Sequence, residues 1–534
     1  MLIPSNKTDL AIKGKYGHTS ANHDHGSNDL IVTTGLSMRK VTAFRRWTIV
    51  FCAVLFPQVS SICTAQTVPQ RPVVVVPGIL GSKLCRGQEL VWGGITSLTN
   101  FTRLDIDAAP AEQLIPCGLL DKVSILGPFW KIDAYDGLIN TLKNIGYRDR
   151  GSQSLFVFTY DWRQSNVDSA RQLNQFIEQI NAPKVDIVAH SMGGLVSAIY
   201  AHNYDGAKRI NKIVFLGTPF MGSMNTFATL SDGWGGFQNI IVGGIESIRR
   251  TALSFAALYE LLPRYPNCCR MGTQNNYVPV DPMNASSWRQ YHWLPGEYDS
   301  GGRAGHFDSR LAGARAVQEI MQRPLPNGIA SVKVVGDVFG TNLYLLGSNS
   351  DPSWKGWTFV KARGDETVPA WSAANNTESL EGTNPSFSTH GTIFNDRTVQ
   401  SILERELLNV SIPKEVRTRA LPISSNVLKP FDFIDISLEP GAVPVNGQAN
   451  VFLNIHWVTA TTRGEYKPRG FLRGPGQDKE ITFSETTSDV DLAANTLTFV
   501  GGIDAPSEAG QWRIQFDFGD FDADYLAYLT TYLP

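Results

Sequence analysis

VDIVAHSMGGLVSAIY, residues 185–200, sets a serine between two patterns. Residues 185–189 form a short, mostly apolar run, as expected of a strand covered on both faces. An apolar helical pattern follows Ser191. Ala189 and Gly193, two residues before and after the serine, are small enough for a sharp strand-to-helix turn, although the usual first small residue is glycine. Such a turn lifts the hydroxyl clear of local packing. It also aims the helix N-terminus at the hydroxyl, where unsatisfied backbone N–H groups favour developing negative charge. A serine that only caps the helix has the same local spacing. The choice between the two readings rests on whether the chain also supplies a base, an orienting acid and a second oxyanion donor.

After a turn of this kind the acid, and then the histidine, follow the serine in sequence. The downstream histidines are His202, His292, His306, His390 and His456. His202 shares the serine's helix, His292 and His306 fall in a long insertion, and His456 sits in an alternating strand of a separate region. His390, in FSTHGTIFND, lies in a loop before a predicted helix over 397–408, where a base is needed. The acid is read as Asp365 in RGDETVP, with Glu366 beside it as the fallback and Asp337, ending VKVVGD, as a further competitor. For the oxyanion, Met192 offers the N–H that follows the serine. The loop PGILGS after the first strand offers a second donor at Ile79, with Gly78 allowing close approach.

Outward from this core, strand and helix patterns alternate. PVVVVPG (72–78) and KIVFLGTP (212–219) read as buried strands. YDGLINTLKNIGY (135–147) and VDSARQLNQFIEQIN (167–181) carry apolar residues at helical spacing. The alternation predicts a mostly parallel sheet with helices on both faces. Residues 84–128 read as an inserted lid. Residues 222–329 show no clear strand and read as an inserted helical cap, since a compact domain rarely carries so long a structureless loop. After residue 413 the texture changes to alternating strands such as NVFLNIHW and WRIQFDF, which predicts an all-β, sandwich-like domain over 420–534.

The chain has 534 residues, of which 42% are hydrophobic and 18% charged, so a sizeable core is available. A net charge of −2 supplies no global basic field for nucleic acid. No glycine loop has phosphate- or dinucleotide-binding spacing and no Cys/His cluster has zinc spacing, so no cofactor is expected. Residues 1–37 are polar and aperiodic, and read as a disordered extension upstream of the true start at Met38. Residues 38–65 read as a signal peptide: basic Arg39, Lys40, Arg45 and Arg46 precede an apolar run of about ten residues, too short for a bilayer, with cleavage after Ala65. Secretion or a periplasmic location follows, in preference to a membrane anchor. Cys85, Cys117, Cys268 and Cys269 remain after cleavage. Three pairings are open, and Cys85–Cys117 closing a loop is favoured.

Six segments, in order, carry a resemblance: VVVVPGILGSKL, YDGLINTLKNIGY, FTYDWRQS, AHSMGG, GTPFMGS and RGDETVP. Together they resemble the lecithin:cholesterol acyltransferase family, which also includes phospholipid:diacylglycerol acyltransferases and lysosomal-type phospholipases A. The resemblance runs from about residue 71 to 409. It implies an α/β-hydrolase fold over 66–415 with lid and cap, and leaves the C-terminal β region outside. It implies Ser191 as nucleophile, Asp365 as acid, His390 as base, and Ile79 and Met192 as oxyanion donors. Cys85–Cys117 looks like the family's lid disulfide, and Asp161, Trp162 and Arg163 like supports beside the site. The family's second disulfide has no counterpart, because no cysteine follows Cys269. The expected partners are a lipid ester at a membrane or lipoprotein surface and an acceptor alcohol or water. No nucleic acid is expected, and the oligomeric state stays open. Trp92, Phe227, Trp234, Phe237 and Phe255 either line an acyl channel, meet a lipid surface, or serve as cap core. A carboxylesterase or triacylglycerol lipase is the alternative enzyme, and a non-catalytic binding protein using the β domain the alternative of another class.

Overall fold

The computed structural model describes residues 71–94, 101–120, 125–126, 131–132, 135–233, 244–273, 276–347, 358–376, 379–408, 433–439, 442–456, 468–474, 477–488, 491, 495–508, 510–517 and 525–532. The segment read as a signal peptide, the extension before it, and Trp234 and Phe237 lie outside the described residues.

Four consecutive valines, Val73–Val76, are fully buried. Their β-branched side chains suit a strand packed on both faces. Among the described residues the main sheet has six strands, all parallel. Their spatial order is Leu155–Val157, Val73–Val76, Val185–His190, Ile210–Leu216, Ala330–Gly336 and Asn384–Ser386. The helix Asn166–Glu178 packs beside Met192–Asn203, and Asp136–Asn144 lies near Arg397–Leu408. This is the α/β-hydrolase arrangement. It leaves the carboxyl ends of the central strands as the natural crevice.

Two insertions differ in texture from their sequence reading. The lid holds a small antiparallel sheet of Ser82–Arg86, Glu89–Trp92 and Ile115–Leu119, and Cys85 and Cys117 are joined by a disulfide. The cap is helical over Met224–Asp232, Gly244–Ala252, Ala256–Glu260, Ala285–Gln290 and Ala304–Met321, but it also contains the hairpin Cys269–Thr273 and Asn276–Val280. That hairpin extends the long strand Phe339–Gly347, which pairs antiparallel with Thr358–Gly364. Strand Thr358–Gly364 therefore lies outside the parallel sheet. Phe339–Gly347 is buried at most positions on both sides, so it lacks the alternation that would mark it in the sequence. Cys268 and Cys269 are buried thiols with sulfurs 3.0 Å apart.

Trp92, Phe227 and Phe255 are buried, so none of the three faces outward. Trp92 and Phe255 both meet Trp162 edge-on, and Phe227 packs against Trp288 and Trp293.

The C-terminal strands form two sheets. Phe433–Glu439, Gln448–His456 and Thr496–Asp504 make one; Arg469–Gly474, Gly510–Asp517, Tyr525–Tyr532 and Ala442–Pro444 make the other. Gln477–Glu485 passes between them, pairing with Arg469–Gly474 early and with Thr496–Asp504 late. Val451, Leu453, Ile455, Phe499, Ile514 and Phe516 fill the space between. Phe339 pairs with Ile434, so this region continues the sheet of the cap hairpin. No helix among the described residues is long and apolar enough to cross a membrane.

The cap base carries a pH-sensitive contact. Glu260 accepts hydrogen bonds from the Ser165 hydroxyl (2.6 Å) and the Asn166 N–H (2.8 Å), at the start of the helix Asn166–Glu178. Burial raises its carboxyl from 4.5 to about 7. The folded value lies above the unfolded one. The group's contribution is therefore complete below the unfolded value and is lost as pH rises through the folded one. Raising pH from about 5 to about 8 should cost the wild type on the order of 3 kcal/mol from this group. Glu260→Gln should flatten that dependence, as read from denaturant melts at several pH values. Parallel curves for the two proteins would contradict the assignment.

Candidate active site

The strand Val185–His190 runs directly into the helix Met192–Asn203, and Ser191 holds the junction at φ 53°, ψ −128°. A non-glycine residue in that region is strained, and strain of this kind collects at functional sites. Gly193 packs on the Val76 and Pro77 carbonyls, and a Cβ at Gly78 would lie 2.7 Å from Ser191 Cβ. The serine hydroxyl makes no capping bond to its helix. It lies 2.8 Å from His390 Nε2 instead, which removes the helix-cap reading.

His390 Nδ1 lies 2.7 Å from Asp365 Oδ2. The other carboxylate oxygen, Asp365 Oδ1, accepts from the Thr367 N–H (3.0 Å) and the Val368 N–H (2.6 Å). The main chain adds a further tie, with the His390 N–H donating to the Asp365 carbonyl at 2.8 Å. All three side chains are buried. The histidine follows the edge strand Asn384–Ser386, in the short helical turn His390–Asn395.

Asp365 arrives by an indirect route. The sheet strand Ala330–Gly336 ends at Asp337, but that carboxylate faces Arg363 at 3.5 Å. The chain continues through the hairpin of Phe339–Gly347 and Thr358–Gly364 and returns, so that Asp365 packs on Gly336. Glu366, at φ 74°, is held by its backbone: its N–H donates to the Thr341 hydroxyl and its carbonyl accepts from Asn225 Nδ2. The carboxylate hydrogen-bonded to the histidine belongs to Asp365, neither to Glu366 nor to Asp337.

The loop after Val73–Val76 is fixed at nearly every residue. Tyr160 Oη donates to the Pro77 carbonyl (2.8 Å), Trp92 Nε1 to that of Leu80 (2.9 Å) and Trp162 Nε1 to that of Ser82 (3.0 Å). The Arg163 guanidinium forms two bonds to the Asp161 carboxylate, both 2.8 Å, and a third to the Leu104 carbonyl. The YDWR segment is thus a support for this loop. The Gly78 N–H is taken by Tyr135 Oη at 2.8 Å. The N–H groups of Ile79 and Met192 make no hydrogen bond among the described residues. Gly217, at φ 57°, would put a Cβ 3.1 Å from Asp365 Oδ2 and 3.2 Å from His390 Nδ1. Neither Tyr135 nor Gly217 stands out in the sequence as part of the site, since each is joined to it only through space, and His190, although it directly precedes Ser191, makes its side-chain contacts with residues far along the chain. No group of three or more His, Cys, Asp or Glu side chains that could hold a metal ion occurs among the described residues.

The fold is of the α/β-hydrolase class, and Ser191, His390 and Asp365 form one hydrogen-bonded line within it. Residues 112–292 match the profile of the family described as lecithin:cholesterol acyltransferase, and the resemblance to that family read from the motifs is thereby shown. Two relatives from Arabidopsis thaliana agree with it. One is phospholipase A(1) LCAT3, 31% identical over 120 residues, covering 20% of this chain and 26% of that one. The other is lecithin-cholesterol acyltransferase-like 4, 26% identical over 241 residues, covering 37% and 43%. The chain thus spans less than half the length of these relatives. Among solved structures, the mature lipase BlEst2 of Bacillus licheniformis is similar at 13% identity and a TM-score of 0.31, covering 64% of this chain and 92% of that one.

Proposed function

We propose that this chain is a serine-dependent lipid acyl-ester hydrolase or O-acyltransferase that works through an acyl-enzyme. The observation that carries the reading is the continuous hydrogen-bonded line from Asp365 through His390 to Ser191 at the end of a central strand. Ser191 Oγ attacks the ester carbonyl while His390 Nε2 takes its proton. Asp365 holds the proton of His390 on Nδ1 and stabilises the imidazolium. The carbonyl oxygen, now negative, accepts from the Ile79 and Met192 N–H groups, each worth about 3–4 kcal/mol in the transition state. The tetrahedral species collapses, the C–O bond to the leaving alcohol breaks, and His390 gives that alcohol its proton. Water or a second alcohol then repeats the sequence on the acyl-enzyme and releases acid or new ester.

Secretion is part of the proposal. It is supported by the disulfide Cys85–Cys117, which suits an oxidising compartment. A phospholipid donor is supported by the similarity to phospholipase A(1) LCAT3 of Arabidopsis thaliana. The test is to incubate the protein with vesicles of an acyl-labelled phosphatidylcholine, with and without a sterol. Label in a sterol ester only when sterol is present supports transfer. Free fatty acid alone in both cases leaves hydrolysis and removes transfer. No release from phosphatidylcholine, with turnover of short-chain esters, moves the protein to the carboxylesterases.

A further inference from the structure

Two buried side chains beside the proposed nucleophile take no part in the chemistry above: Tyr135 and His190. Both are almost wholly shielded from solvent. Tyr135 precedes the helix Asp136–Asn144, stacks on Phe394 and meets His190 edge-on. Its Oη lies 2.8 Å from the Gly78 nitrogen and 2.7 Å from His190 Nδ1. The far nitrogen of His190, Nε2, lies 3.0 Å from the His390 carbonyl oxygen. The line therefore starts on the loop that carries Ile79 and ends on the backbone of His390, passing beside Ser191.

Its proton order is forced from both ends. A backbone N–H only donates and a carbonyl only accepts. The Gly78 N–H gives to Tyr135 Oη, so the phenol proton is free to give to His190 Nδ1. His190 must then carry its own proton on Nε2 to reach the His390 carbonyl. One neutral tautomer satisfies every member, and no other does. Burial, with His390 close by, also holds the His190 imidazole well below its ordinary value, in keeping with a permanently neutral ring. The first effect on the site is at Gly78: with its N–H occupied, the next amide, that of Ile79, is the one presented. The second is at His390, whose carbonyl is held by His190 while its N–H is held by the Asp365 carbonyl.

We propose that Tyr135 and His190 form a positioning relay that locks the oxyanion loop and the backbone of His390 into one geometry around Ser191. This rests on the serine reading above. Both residues act through others and touch no reacting atom. Misplacement of reacting groups by about 1 Å can cost on the order of 100-fold in rate.

The test measures kcat and KM for a soluble ester, with active sites counted by end-point labelling with a fluorophosphonate, so that unfolded protein drops out of the rate. Tyr135→Phe removes one oxygen and keeps the ring. It should lower kcat per labelled site by about 10- to 100-fold with KM within about twofold. His190→Gln places an amide N–H where Nε2 stands, so it keeps the tie to the His390 carbonyl while losing the one to Tyr135, and should keep more of kcat than His190→Asn. His190→Asn stops short of the His390 carbonyl and should fall with Tyr135→Phe. The double variant Tyr135→Phe/His190→Asn should be no worse than the poorer single one, because the members act as a unit. Wild-type kcat in Tyr135→Phe, or losses that multiply in the double variant, would overturn the relay. Should Tyr135→Phe fail to fold, equal kcat for His190→Gln and His190→Asn overturns it instead. Ser191→Ala separates the two ideas. Turnover surviving in Ser191→Ala sinks the serine reading, whereas an inactive Ser191→Ala beside an unaffected Tyr135→Phe sinks the relay alone.

Discussion

Ser191→Ala is expected to lower kcat for any ester substrate by roughly 10⁶-fold while leaving the fold intact. The large loss follows from the geometry. The hydroxyl lies 2.8 Å from His390 Nε2, and in the proposed mechanism no acyl-enzyme forms without it. The small structural effect follows just as directly. Ser191 gives its helix no side-chain cap, so alanine removes no capping bond. Alanine adopts the same positive φ at no greater strain than serine, because both carry a Cβ. The group that loses a partner is His390, and its Nδ1 side and its main chain keep their bonds to Asp365. Thermal melts of the two proteins should nearly coincide, while burst kinetics with a chromogenic ester should show an acyl-enzyme in the wild type alone. A variant retaining even a hundredth of the wild-type rate would mean that another group attacks.

Asp365→Asn should cost about 10⁴-fold in kcat near neutral pH, far more than the loss of a charge at the surface. Two backbone amides, those of Thr367 and Val368, point at Oδ1. An asparagine must turn its carbonyl oxygen toward them and its NH₂ toward His390. The histidine can then only accept at Nδ1, so its proton moves to Nε2, the atom that must take the proton of Ser191. The variant stays folded because both backbone bonds survive, and the base is present in the wrong tautomer. Nitrogen-15 shifts of His390 would report the exchange of protonated nitrogen directly. If Asp365→Asn lowers kcat by less than tenfold, the orienting acid is elsewhere, and Glu366 is the next residue to replace.

How much of this was legible beforehand varies with the reach of each interaction. The run Val73–Val76, the segment around Ser191 and the helix Arg397–Leu408 are local patterns, and their burial and periodicity appear in consecutive residues. Asp365, the carboxylate that meets His390, was legible as a residue but not as a location. RGDETVP reads as a tight loop after a strand, and it is one. The strand, however, belongs to a hairpin outside the parallel sheet. Strand Phe339–Gly347 escaped notice because burial on both faces erases the alternation that reveals a half-covered strand. The hairpin Cys269–Thr273 and Asn276–Val280 escaped within a region dominated by helical spacing.

Sequence by itself determined the order of Ser191, Asp365 and His390 along the chain, the small residues at the serine turn, and the alternation that makes a parallel sheet with helices on both sides. These are properties of neighbours along the chain, where backbone sterics and side-chain periodicity act. Only the tertiary structure decided which of three carboxylates faces His390, which loop amide remains unengaged beside Ser191, and that Tyr135 and His190 join the two sides of the site. Those contacts link residues 55, 57 and 200 positions apart. They exist because the strands are parallel, which brings the carboxyl ends of Val73–Val76, Val185–His190 and Asn384–Ser386 to the same end of the sheet. That arrangement is set by how the layers bury their apolar faces against one another, which no window of consecutive residues records.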